Sequence, residues 1–139
     1  MDKALNYLSL ARKAGLAELG EEPVGAAARA LKAHVILVAS DASDHTWRRA
    51  KAYAAGTDQQ CVRLACTKDE MGFVIGRTAL AIAAITDVSL ALALVKALGE
   101  PEKHKAVIDV LSAKEKRLKQ RKAEAKAHAR NVRTGKAKK

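Results

Sequence analysis

Apolar residues recur along this chain with two alternating periods. Over residues 2–14, Ala4, Leu5, Leu8 and Ala11 share a helical stripe while Lys3, Arg12 and Lys13 lie off it. Gly15 follows directly and predicts the stop of that helix. Leu16–Leu19 alternates enough for a minor strand. Gly20 then precedes Glu21-Glu22-Pro23. Acids suit a helix's positive first turn, and an early proline loses no hydrogen bond there. An alanine-rich second helix is predicted to about Lys32, weakest at Gly25.

His34–Ala39 is a continuous, mostly branched apolar run, which predicts a strand buried on both faces. Ser40–Ser43 turns the chain, and Ser43 is placed to cap a third helix up to about Ala55. Gly56-Thr57-Asp58 closes that helix, and Cys61–Ala65 predicts the next strand. Thr67-Lys68-Asp69-Glu70 has the Thr-x-x-Glu spacing of a capping box and opens a short fourth helix. Gly72 and Gly76 bracket Phe73-Val74-Ile75, Leu80–Ile85 is again strand-like, and Asp87 caps a fifth helix with Leu90, Leu94 and Leu98 on one face. Helices alternating with apolar strands predict a three-layer α/β/α sandwich. Gly99-Glu100-Pro101 bounds a domain of residues 1–99. In the remaining 100–139, Val107, Val110, Leu111 and Leu118 form one thin stripe, and no large apolar residue follows until Val132. The expectation is a basic C-terminal tail, helical over about 102–120, then charged helix or disorder, with 130–139 disordered.

Charge sharpens that division. The 139 residues carry a net charge of +11. Residues 1–99 hold 12 basic and 10 acidic side chains, whereas 100–139 hold 14 and 5. A field of that sign attracts polyanions, and counterion release makes nucleic acid the natural partner. Only Trp47, Phe73, Tyr7 and Tyr53 are aromatic, which argues against sheets that read single strands by stacking. Two cysteines cannot build a disulfide scaffold, so a reducing, cytoplasmic compartment is expected. The N-terminus lacks a signal-peptide pattern, and Thr86-Asp87 interrupts the apolar stretch Ala79–Leu98, short of the roughly 18 residues a span needs. No membrane association is expected.

Candidate chemistry is sparse. Cys61 and Cys66 have no His at ligand spacing, and His34, His45, His104 and His128 form no chelating pair. Asp41, Ser43, Asp44 and His45 cluster in sequence, but helix capping accounts for Ser43 and Asp44. The Gly72–Gly76 stretch lacks the Lys-Ser/Thr of a phosphate-binding loop. The expectation is a non-enzyme with neither metal nor cofactor.

Five segments in order carry a family resemblance: Asn6–Gly15, Gly20-Glu21-Glu22, Val35–Ser43, Met71-Gly72-x-x-Ile75-Gly76 and Ala84–Asp87. Together they resemble the kink-turn-binding ribosomal-protein superfamily, L-seven-Ae/L-thirty-e, and within it the bacterial ribosomal-protein-like branch. The resemblance covers about residues 3–98. It implies a four-stranded mixed sheet in the sandwich and a ribosome-associated protein of translation that docks structured, kink-turn-like RNA. Ribosomal proteins would then be neighbours, and the free chain a monomer. It also implies two contact regions: the start of the second helix, with Gly20, Glu21, Glu22 and, further along, Arg29 and Lys32; and the loop of Gly76, Arg77, Thr78 and Ala79. The family's Gly-x-Asn-Glu-x-x-Lys motif falls here on Gly20, with Glu22, Pro23 and Ala26 at the three polar positions. An ionised Glu22 cannot donate to a base edge, and Ala26 cannot reach a phosphate. This departure leaves one alternative, a protein-interaction module of the same fold that has lost kink-turn recognition, with the Val107/Leu111/Leu118 stripe as its docking helix.

Overall fold

A computed structural model describes residues 2–134, with side chains from residue 3 to 130. The four apolar segments form one sheet: β1 (Ala17–Leu19), β2 (Val35–Val38), β3 (Gln60–Arg63) and β4 (Ile82–Ile85). Their spatial order is β1-β4-β2-β3. β4 runs antiparallel to both β1 and β2, while β2 and β3 are parallel. The sheet is therefore mixed and four-stranded. Every residue of the two central strands, Val-Ile-Leu-Val and Ile-Ala-Ala-Ile, is buried, as unalternating apolar strands require.

Helices cover both faces. α1 (Asp2–Lys13) and α5 (Val88–Ala97) pack together, while α2 (Glu21–Arg29) and α3 (Asp44–Ala54) form a second pair. The short α4 (Lys68–Phe73) precedes β4. The predicted caps are present: Ser43, Thr67 and Asp87 each accept from the backbone N–H three residues on, and Thr67 with Glu70 completes the capping box. Each exchange satisfies a donor that the helix itself cannot.

α2 ends at Arg29, three residues short of the expectation. Leu31 takes a left-handed φ of 60°, and Lys32 N–H returns to the Ala27 carbonyl while Leu31 N–H reaches that of Ala28. This is a Schellman termination with leucine at the position glycine usually fills, so the sequence carries no glycine to mark it. The buried Gln59 secures the same end. Its Oε1 accepts from Ala33 N–H at 2.9 Å and its Nε2 donates to the Ala28 carbonyl at 3.2 Å.

The C-terminal segment differs more. α6 (Lys105–Thr134) is one helix that continues through 121–129, left open between charged helix and disorder, and into the end expected to be disordered, of which residues 135–139 lie outside the described residues. Past Leu118 the chain has few apolar residues but many strong helix formers, which favours the charged helix there. Lys119–Glu115 and Gln120–Glu124 contacts at i,i+4 add support. The helix's first half packs on α5, and Leu111 is fully buried in the core. The change in charge at Gly99 is thus not a break in packing, and the Val107/Leu111/Leu118 stripe faces the chain's own domain.

Lys114 locks α6 to the sheet end where β2 begins. Its Nζ lies 3.2 Å from Asp58 Oδ1 and 3.2 Å from His34 Nδ1. An ammonium only donates, so Nδ1 is the acceptor and the ring carries its proton on Nε2. Burial, and secondarily the Lys114 charge, holds His34 below its ordinary pKa; burial, then Lys103, does the same for His104. No helix among the described residues is long and apolar enough to cross a membrane.

Three outcomes follow. Leu111→Ala should lower unfolding free energy by about 2–5 kcal/mol in urea titrations, the range for emptying a buried leucine site. Leu31→Gly should raise it by about 1 kcal/mol by relieving a left-handed leucine. Both histidines take up a proton less readily in the folded chain, so the unfolded chain binds more protons as pH drops through the ordinary histidine range. Stability should therefore fall as pH goes from about 7 toward 5, with a smaller fall in His34→Gln/His104→Gln.

Candidate nucleic-acid interface

The site is assembled at the sheet end where β1 finishes and β4 begins. Gly20 N–H donates to the Ile82 carbonyl at 3.0 Å, which pins the start of α2 beside the start of β4. Gly20 adopts φ 97°, a conformation open to glycine, and α2 has no side-chain N-cap. The segment between α4 and β4 folds over this point. Ile75 and Arg77 N–H groups both return to the Gly72 carbonyl, at 3.1 and 2.9 Å, and Gly76 takes φ 74°. Gly72 is required by space: a Cβ there would sit 2.7–2.9 Å from three backbone atoms of Ala79.

This fold-back delivers Arg77. Its Nη1 lies 4.0 Å from where a Gly20 Cβ would be, so the guanidinium stands over the first turn of α2. Arg77 has no carboxylate partner among the described residues. Gly20, Glu21, Glu22, Gly76, Arg77, Thr78 and Ala79 therefore share one end of the molecule, with Glu22, Thr78 and Ala79 exposed. Two of the expected residues lie elsewhere. Arg29 is on the last turn of α2, although its Nη1 reaches back to 3.3 Å from the Gly25 Cβ position. Lys32 lies beyond the end of α2, a helix about 14 Å long at 1.5 Å per residue, and is not brought to the Gly20 end.

No protein-family model matches the sequence, and no curated protein does. Solved structures do match. A protein of unknown function from Bacillus halodurans superposes with a TM-score of 0.65 at 22% identity, over 70% of this chain and 98% of that one. The Giardia lamblia 15.5kD RNA binding protein superposes with a TM-score of 0.61 at 16% identity, over 76% of this chain and 87% of its own. At these identities the likeness is one of fold.

Arg49 and Tyr53 on α3 join the site unanticipated. Arg49 Nε is 3.6 Å from Glu21 Oε1, and its Nη2 is 3.4 Å from the Tyr53 hydroxyl. The contact to Glu21 is too long for a hydrogen bond, so that buried Oε1 has none. The Tyr53 hydroxyl lies 2.9 Å from the Gly25 Cβ position, so glycine makes room for it. Glu21, Arg29, Arg49 and Tyr53 thus line a cleft of about 380 Å³ between α2 and α3. Their i,i+4 spacing put Arg49 and Tyr53 on one face, but only packing shows that this face meets α2.

Guanidiniums thus flank α2 at Gly20, Glu21 and Gly25. Such groups bind phosphate oxygens in paired, charge-assisted hydrogen bonds. The thiols are not poised for nucleophilic work, because burial pushes Cys61 to about 12 and Cys66 to about 11. Trp47 meets two cations, with Lys51 and Arg63 each 5.5 Å from its ring centroid. Gly72→Ala should destabilise the chain by about 1–3 kcal/mol, the range for overpacking, as read in urea unfolding. Its amide spectrum should change first over residues 74–81.

Proposed function

We propose that this chain binds structured RNA, gripping phosphates at the Gly20–Arg77 end and along the exposed outer half of α6. The observation that carries this reading is the Arg77 guanidinium placed over the open N-terminus of α2, two features that each favour an anion. The fold shared with the Giardia RNA binding protein supports it. So does the tail charge, of which Lys116, Arg117, Lys119, Arg121, Lys122 and Lys126 stand exposed along α6. The finer reading is a ribosome-associated protein docking kink-turn-like RNA. Glu22, Pro23 and Ala26, at the three polar motif positions, are all exposed and therefore free to face a ligand. We propose no enzymatic role.

The test uses the full chain, a kink-turn RNA and a plain duplex of equal length. Arg77→Ala should weaken kink-turn binding about 10- to 100-fold, equivalent to roughly 1.5–3 kcal/mol for a charged contact. It should leave duplex binding nearly unchanged, because α6 supplies most of that attraction. Replacing Lys116, Lys119, Lys122 and Lys126 by Gln should reduce the log–log salt slope by about 3–4 on the duplex. Glu22→Asn/Pro23→Glu/Ala26→Lys should strengthen kink-turn binding and leave the duplex unaffected. An Arg77→Ala chain that binds every RNA like the parent would overturn the reading.

That outcome would favour the protein-interaction reading, for which Phe73 is the relevant observation. It is 83% exposed, and Asp69 and Glu70 line the same groove on α4. An apolar anchor beside two carboxylates calls for a basic partner segment.

A further inference from the structure

A cleft of about 210 Å³ lies where α6 crosses the sheet end far from Gly20, and its α6 wall is cationic. Lys114, Arg117 and Arg121 line it from α6, and their i, i+3, i+7 spacing places them on one helix face. This is the face turned toward the rest of the chain, where buried Leu111 gives way to Lys114 and half-buried Leu118. His34 and Asp58 form the opposite wall, and Val88 brings in the amino end of α5.

The nearby acids are already engaged. Asp58 is paired with Lys114 at 3.2 Å, and Asp87 caps α5 by accepting from Leu90 N–H at 2.9 Å. Arg117 and Arg121 have no ion-pair or hydrogen-bond partner among the described residues. Two like charges one turn apart destabilise a helix. With no acid paired to them, the exposed Arg117 and Arg121 leave the mouth of the cleft short of negative charge. A helix N-terminus adds its positive end to the same space. The volume lies below the roughly 300–1,000 Å³ of sites that enclose a whole small molecule, so it suits one group of a larger ligand.

We propose that this cleft is a binding site for one phosphate group, held chiefly by Arg117 and Arg121, with Lys114 and His34 lining it beside them. It is separate from the Gly20–Arg77 end and stands whether or not that end binds RNA. The ligand is a phosphate monoester or diester whose remainder lies outside the cleft.

The test is an NMR titration of the full chain with inorganic phosphate, following the His34 ring and the arginine Nε–H signals, against chloride at equal ionic strength. Phosphate should give saturable shifts at His34. The Arg117→Gln/Arg121→Gln chain should bind at least tenfold more weakly. Both residues are exposed, so the fold should persist, as circular dichroism will show. Arg117→Lys/Arg121→Lys, which keeps the charge but loses the paired donors, should recover part of the loss. Lys13→Gln/Lys96→Gln removes the same charge elsewhere and should leave the titration unchanged. Adenosine monophosphate and a short single-stranded RNA then distinguish the source. Tighter saturation of His34 by the former indicates a free nucleotide, and by the latter an RNA backbone. Shifts that never saturate with any of the three probes, or that weaken equally in the Gln variants at 117/121 and at 13/96, would overturn the proposal.

Discussion

The approach of Gly72 to the backbone of Ala79 is the constraint on which the candidate interface depends. Any Cβ at residue 72 would fall within 2.9 Å of three Ala79 backbone atoms. Because that contact is allowed, the chain can leave α4, reverse within a few residues and enter a central strand. Leu80 N–H then reaches the Lys68 carbonyl at 2.9 Å, and the Ala81 carbonyl accepts from Ala39 at 2.9 Å. β4 enters between β1 and β2 in a fixed register, and Gly20 N–H meets Ile82. Arg77 stands over α2 as a consequence of that backbone path. A small residue in a short helix thus sets the position of a cation on a different element.

The two ends of the sheet are built on different physics. At the Gly20 end, backbone donors and guanidiniums are left accessible, and Glu21 meets Arg49 only at ion-pair distance. At the opposite end, buried polar groups are matched: Gln59 joins α2 to the strand-entry loop, and Lys114 joins α6 to Asp58 and His34. Unpaired buried polar groups are costly, so such matched sets define how α2 and α6 sit. α6 therefore belongs to the folded unit along its first half while its outer half carries exposed charge.

Much of the architecture was legible in the sequence because its signals are local. Uninterrupted apolar runs gave the buried strands, Thr67-x-x-Glu70 gave the capping box, and Ser43 and Asp87 gave helix starts. Where a boundary lacked its usual residue the reading slipped, as at Leu31, where leucine occupies the left-handed position. Past Leu118 the residues left helix and disorder both open, and the helix formers decide for helix there.

What the sequence determined by itself was the alternation of helices and strands, the separation of charge between residues 1–99 and 100–139, and the glycines that permit the turns at 20 and 76. Each of these follows from side-chain chemistry acting over a few neighbouring residues. Only the tertiary structure decided that Arg77 meets Gly20, that Arg49 and Tyr53 face α2, that Lys32 lies away from the Gly20 end, and that Lys114 closes on His34. Those pairings span 28 to 80 residues of sequence or turn on which face of a helix is covered. No local period encodes them. They arise from strand order and helix packing, which are selected by the burial of the whole core.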